Sequence, residues 1–67
     1  MTHTIEFSLT GRDAVVELDR SGGGTLLVLK DKRLVGTVTD GDIRRHIISG
    51  GKIDDLIKFI MNSVKSR

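Results

Sequence analysis

Three consecutive glycines, Gly22, Gly23 and Gly24, stand between a helical pattern and an unbroken apolar run. No other feature constrains the fold as much. Consecutive glycines are costly to order and rarely continue a helix, so whatever precedes them ends there. Upstream, Thr10 and Asp13 have the hydroxyl-x-x-carboxylate spacing of a capping box. Ala14, Val15 and Leu18 then fall on one face, which predicts a helix to about Arg20. Downstream, residues 25–29 are rich in strand formers without polar alternation, as suits a strand covered on both faces. Four charged residues, 30–33, separate it from a second apolar stretch, 34–38, broken only by Gly36. That is the length of a hairpin connection, although the usual Asn-Gly or Asp-Gly pair is missing. Residues 3–7 alternate, with Ile5 and Phe7 on one side, and predict a short first strand.

A second helix is expected from about Asp40 to Ser49, with Ile43 and Ile47 one turn apart and Gly50-Gly51 closing it. The tail has the cleanest helical period. Ile53, Leu56, Ile57, Ile60, Met61 and Val64 share one face, while Asp54, Asp55, Lys58, Asn62 and Lys65 face away. This predicts a further, C-terminal helix that covers the core or meets a partner. The resulting architecture is a two-layer α/β sandwich, β-α-β-β-α with an extra C-terminal helix.

At 67 residues the chain makes one small domain with a modest core. Cysteine is absent, which excludes disulfides and thiolate metal sites, and the two histidines are far apart. Oligomerisation is then the natural supplement to the core. No apolar run is long enough to cross a membrane, and residues 1–4 lack the features of a signal peptide. The expected location is the cytoplasm, a reading that the lack of cysteine fits. The net charge of +2 is small, bases and acids are interspersed, and tyrosine and tryptophan are absent. Those facts argue against a nucleic-acid binder, which needs a basic patch or stacking platforms.

Most of the chemistry lies in residues 36–45, Gly-Thr-Val-Thr-Asp-Gly-Asp-Ile-Arg-Arg. Thr39 and Asp42 repeat the capping-box spacing, so a purely structural cap is one reading. A divalent metal on Asp40 and Asp42 lacks a third carboxylate nearby, and no metal site is expected. A phosphoryl-accepting Asp40 lacks the lysine and second acidic cluster it would need. A nucleotide uses the turn differently. A strand ends, the chain turns at Gly41 and a helix begins, presenting free amides and the positive end of the helix dipole. Thr39 offers a hydroxyl, and Asp42 accepts from two ribose hydroxyls as in dinucleotide-binding folds. Gly36 lets a flat base approach the backbone. Arg44 or Arg45 reaches a phosphate, which guanidinium matches in a bidentate manner.

The stretch Leu34-Val-Gly-Thr-Val-Thr-Asp-Gly-Asp-Ile-Arg-Arg45 resembles the signature of the cystathionine-β-synthase (CBS) motif. That signature is an apolar strand, a glycine, two strand residues with Ser or Thr second, two variable residues and an aspartate. The match runs back through Leu26-Leu-Val-Leu29 and Ser21-Gly-Gly-Gly24 to the Thr10 helix start, and forward through Gly50-Gly51 to Ile60-Met-Asn62. Leu27 stands where many members carry proline, and Lys30 where an acid is frequent. The resemblance implies a regulatory ligand-binding module, not an enzyme, with no required cofactor and AMP, ADP, ATP or S-adenosylmethionine as ligand. Thr39 would face ribose or phosphate, Asp42 the ribose hydroxyls, and Val28, Leu34 and Val35 the base. Such motifs pack in pairs. Residues 1–67 form one motif, half of a pair, so a homodimer through CBS–CBS packing is expected. The form Thr-Asp-Gly-Asp-Ile-Arg-Arg resembles motifs attached to sugar-nucleotide nucleotidyltransferases and sugar-phosphate isomerases, which suggests such an enzyme domain as parent or partner. The alternative is a dimerisation module without ligand.

Overall fold

A computed structural model describes residues 3–64. The elements are β1 (His3–Glu6), α1 (Gly11–Ser21), β2 (Thr25–Lys30), β3 (Arg33–Thr39), α2 (Asp40–Ile48) and a two-residue β4 (Asn62–Ser63), with a 3-10 turn at Ile57–Phe59. One sheet has the order β1-β2-β3-β4. β1 runs parallel to β2, Ile5 opposite Val28, with α1 as the crossover. β2 and β3 form an antiparallel hairpin, Leu26 opposite Val38. The mixed α/β fold is the expected one.

Alternation along the strands puts Ile5, Leu26, Val28 and Val38 on one face. They meet Ala14 and Leu18 of α1, Ile43 of α2, and Ile57 and Ile60 of the tail in a single core. Leu27 and Leu29 on the other face of β2 are only half-buried, so β2 is not sealed on both sides as expected. Gly22 ends α1 in the left-handed conformation at φ 83°, its amide bonded back to Asp19 and Leu18. Asp31 and Lys32 make the hairpin turn, both with positive φ (53° and 66°). That is the backbone of a type I′ turn, built here without glycine.

The expected C-terminal helix does not form. A helix would bond the Ile57 amide to the Ile53 carbonyl, but both groups are engaged elsewhere. Ile57 N–H donates to Leu9 C=O at 2.7 Å, and Ile53 C=O accepts from Arg12 N–H at 2.8 Å. Gly11 N–H likewise takes Asp55 C=O, and Lys58 N–H takes Phe7 C=O. The tail therefore lies against residues 7–12 as an irregular strap. Its apolar period still reports burial, since Ile57 is fully buried and Ile60 nearly so. Conformation follows the tertiary hydrogen bonds, which satisfy the backbone without a helix. Lys65, assigned to the polar face of that helix, lies outside the described residues.

The strap explains Gly11 too. A Cβ there would stand 2.7 Å from the Ile53 carbonyl oxygen and 2.8 Å from Ile60 Cδ1. Only a glycine lets α1 begin so close to the strap.

Candidate functional site

β3 carries Thr39 to the end of the sheet, and α2 starts at the next residue. Thr39 keeps extended backbone (φ −123°, ψ 170°) and caps the helix. Its hydroxyl accepts from Asp42 N–H at 3.2 Å and donates to Asp42 Oδ2 at 3.0 Å. Oδ2 also accepts from Thr39 N–H at 2.9 Å. The capping reading of this pair is therefore realised.

The cap leaves part of each side chain free. A hydroxyl has two lone pairs, and Thr39 uses one of them here. Asp42 keeps Oδ1, which faces Arg45 with Nη1 at 3.5 Å. The Asp42 side chain is 15% exposed and that of Arg45 79%, so a largely covered carboxylate sits below an exposed cation. Arg44 turns to Asp40 instead, at 2.7 Å.

The capping box at Thr10 and Asp13 provides an internal comparison. Its bonds are nearly the same: 3.0 Å from the Thr10 amide, 3.1 Å from its hydroxyl and 3.3 Å from the Asp13 amide. The two boxes differ in what covers the first helical amides, which the helix cannot satisfy itself. At α1, Gly11 N–H and Arg12 N–H are bonded to the strap carbonyls of Asp55 and Ile53. At α2, no carbonyl of the described residues accepts from Asp40 N–H or Gly41 N–H. That helix end, flanked by Asp42 Oδ1 and Arg45, is open to a ligand.

Thr25 pairs with Thr39 across the sheet. Asp40 borders a shallow cleft with Val15, Leu18, Asp19, Gly22 and Gly23. The glycine loop thus shares this end of the sheet with the α2 turn, a neighbourhood that the sequence spacing did not reveal.

Two expected site residues stand apart. Gly36 and Val35 lie about 10 and 13 Å along β3 from Thr39, at about 3.3 Å per residue. Gly36 is buried, and the space that its missing side chain leaves is filled by the chain itself. A Cβ there would stand 2.8 Å from the Asn62 carbonyl oxygen and 2.9 Å from Met61 Sδ. The close approach read as access for a base is the approach of β4, which pairs Ser63 with Gly36. Val35 falls where the β2–β3 register shifts, opposite the Val28–Leu29 step, and packs half-buried against the core. The structure groups Thr39, Asp42 and Arg45, and places Gly36 and Val35 under the tail.

No protein-family model matches the chain. Over 42 residues, 61% of the chain, it is 50% identical to the arabinose 5-phosphate isomerase GutQ of Escherichia coli O6:H1. Also over 42 residues, it is 43% identical to the GutQ isomerase of Salmonella typhi. The chain spans 13% of the length of these curated relatives. Among solved structures, a CBS domain protein fused to a Zn-ribbon-like domain superposes over the whole chain and 99% of its own, with a TM-score of 0.85 at 19% identity. A CBS domain protein of Pyrobaculum aerophilum, complexed with AMP, matches 92% of the chain and 50% of its own, with a TM-score of 0.81 at 25% identity. A CBS domain structure named NE2398 matches 92% of the chain and 50% of its own, with a TM-score of 0.82 at 28% identity. No helix among the described residues is long and apolar enough to cross a membrane. In fold and in the signature residues 34–45 the chain is similar to CBS domain proteins, and the isomerase match is compatible with that likeness.

Proposed function

We propose that the chain is a non-catalytic regulatory module that binds an adenosine-type nucleotide, AMP, ADP, ATP or S-adenosylmethionine, at the start of α2. It is half of a CBS pair, completed by a second copy in a homodimer, and it serves a sugar-phosphate isomerase domain. One observation carries this reading. Of two nearly identical capping boxes, the strap covers the amides at α1 and leaves those at α2 open beside Asp42 Oδ1 and Arg45. A phosphate suits the open amides, and the remaining carboxylate oxygen suits a ribose hydroxyl. The AMP complex of a structural neighbour supports an adenosine ligand. Asp42 Oδ1 exchanges its arginine for ribose, which frees Arg45 for phosphate. Thr39 accepts a ribose hydroxyl through its remaining lone pair while its proton stays on Asp42. Val35 and Gly36 act on the ligand only by shaping the wall that the tail completes.

Calorimetric titration with AMP, ADP, ATP and S-adenosylmethionine, with the mass of the assembly in solution, tests the proposal. Saturable binding by a dimer is the expected result. Absence of heat and of any thermal shift with all four ligands overturns it.

Ligand-free dimerisation is the second reading. Ile48 at 79% exposure and Phe59 at 66% favour it, because such apolar area on a small chain fits a protein interface. A dimer that no nucleotide stabilises is its signature.

A further inference from the structure

Away from Thr39 and Asp42, one surface joins a sheet edge that no strand of the described residues pairs, with Glu6 C=O taken by Leu9 N–H at 3.1 Å, to an apolar floor and an acidic rim. β1 is the outer strand, with β2 on its other side. Phe7 N–H bonds across to Leu29 C=O at 2.9 Å. Alternation along the strand then turns the amides of Thr4 and Glu6 to the open side. A groove runs between this edge and α1, floored by Ile5, Leu9, Val16 and Leu29. Leu9 is 41% exposed and Val16 53%.

The charge of this groove opposes that of the molecule. It gathers Glu6, Asp13 and Glu17 against Arg20 alone, in a chain with 11 bases and 9 acids. Asp13 Oδ2 is held by the Thr10 cap. Arg20 touches Glu17 only at 3.8 Å with its own side chain 75% exposed, a contact worth little. Glu6 and Glu17 remain as charge at the rim.

We propose that this groove docks an extended basic segment of a partner protein, which adds to β1 as a fifth strand. An open edge pairs with any extended backbone, and the side chains then select. Apolar residues on the α1 side lie over Leu9 and Val16, and basic ones on the opposite side meet Glu6, with Glu17 of α1 adding to the negative field. An acidic segment would meet like charge at the rim. The site is separate from the α2 turn and does not depend on the nucleotide reading.

The probe is the peptide acetyl-Lys-Val-Lys-Val-Lys-Val-amide, titrated into the 15N-labelled chain, with the Glu-Val counterpart as control. Saturable binding is expected to shift β1 and α1 resonances and to slow hydrogen exchange at the Thr4 and Glu6 amides. Affinity should fall at least about tenfold in the double variant Glu6→Lys/Glu17→Lys, and measurably in the milder Glu6→Gln/Glu17→Gln, which keeps the shape should the reversal not fold. No saturable binding, binding unchanged in both variants, equal binding of the Glu-Val peptide, or protection away from β1 each overturns the proposal.

Discussion

Asp42 Oδ2 accepts from both the amide and the hydroxyl of Thr39, at 2.9 and 3.0 Å, while Oδ1 faces Arg45. One carboxylate thus closes a helix cap with one oxygen and presents the other outward. Capping takes Oδ2, and the ribose contact proposed above would fall to Oδ1 of the same group.

Asp42→Ala removes both roles, and its twin separates them. Asp42→Ala and Asp13→Ala each break a box of the same geometry, and each should cost about 1 kcal/mol. In a domain of this size that lowers Tm by roughly 4–8 °C. Nucleotide affinity should be lost in Asp42→Ala and kept in Asp13→Ala. Equal affinity in the two variants at matched stability would remove Asp42 from the site.

The hairpin turn is improvable. Asp31 and Lys32 both hold positive φ, which is strained for a side chain such as lysine and is the natural place of Asn-Gly. Asp31→Asn/Lys32→Gly should raise stability by about 0.5–1 kcal/mol. The urea midpoint should rise with an unchanged m value. A midpoint at or below that of the parent would show that the turn is not under strain.

Gly36→Ala tests the close contact that β4 makes at this position. The added methyl would stand 2.8 Å from the Asn62 carbonyl oxygen and 2.9 Å from Met61 Sδ, so β4 must move. Overpacking of this kind costs about 1–3 kcal/mol. Hydrogen exchange should quicken at Val64 N–H, which donates to Val35 C=O at 3.1 Å, before the β2–β3 amides respond. Uniform loss of protection across the sheet would place the damage elsewhere.

These cases mark how far the sequence is legible. Two helices and three strands follow from local signals: capping boxes at Thr10 and Thr39, glycines after each helix, and apolar runs between them. Thr39, Asp42 and Arg45 share one short turn, so their grouping is local as well. The tail is not local. Its period foretells that Ile57 and Ile60 are buried, yet its hydrogen bonds go to residues 7–12, some 45 positions upstream. The glycine at 36 misleads for the same reason. A bare Cα announces a close approach without naming what approaches, and here it is a segment 25 residues later.

The strap is also where acid should act first. Asp55 Oδ2 accepts from Lys52 N–H at 2.9 Å and lies 2.8 Å from His46 Nε2. The hydrogen bond from the Lys52 amide, followed by that from His46, holds the Asp55 carboxyl below its ordinary value of 3.8. Asp54 is lowered as well, by its hydrogen bond and charge pairing with Arg12 at 2.8 Å. A carboxylate whose folded pKa is depressed binds its proton more readily in the unfolded chain. Its stabilisation is therefore complete above the ordinary carboxylate value and is lost as pH falls through the lower folded value. In Asp55→Asn this dependence is removed. The urea midpoints of parent and variant should differ most at about pH 5 and converge towards about pH 2, with the Asp54 contribution common to both. A gap that stays constant across that window would show that the charge of Asp55 does not hold the strap to α2.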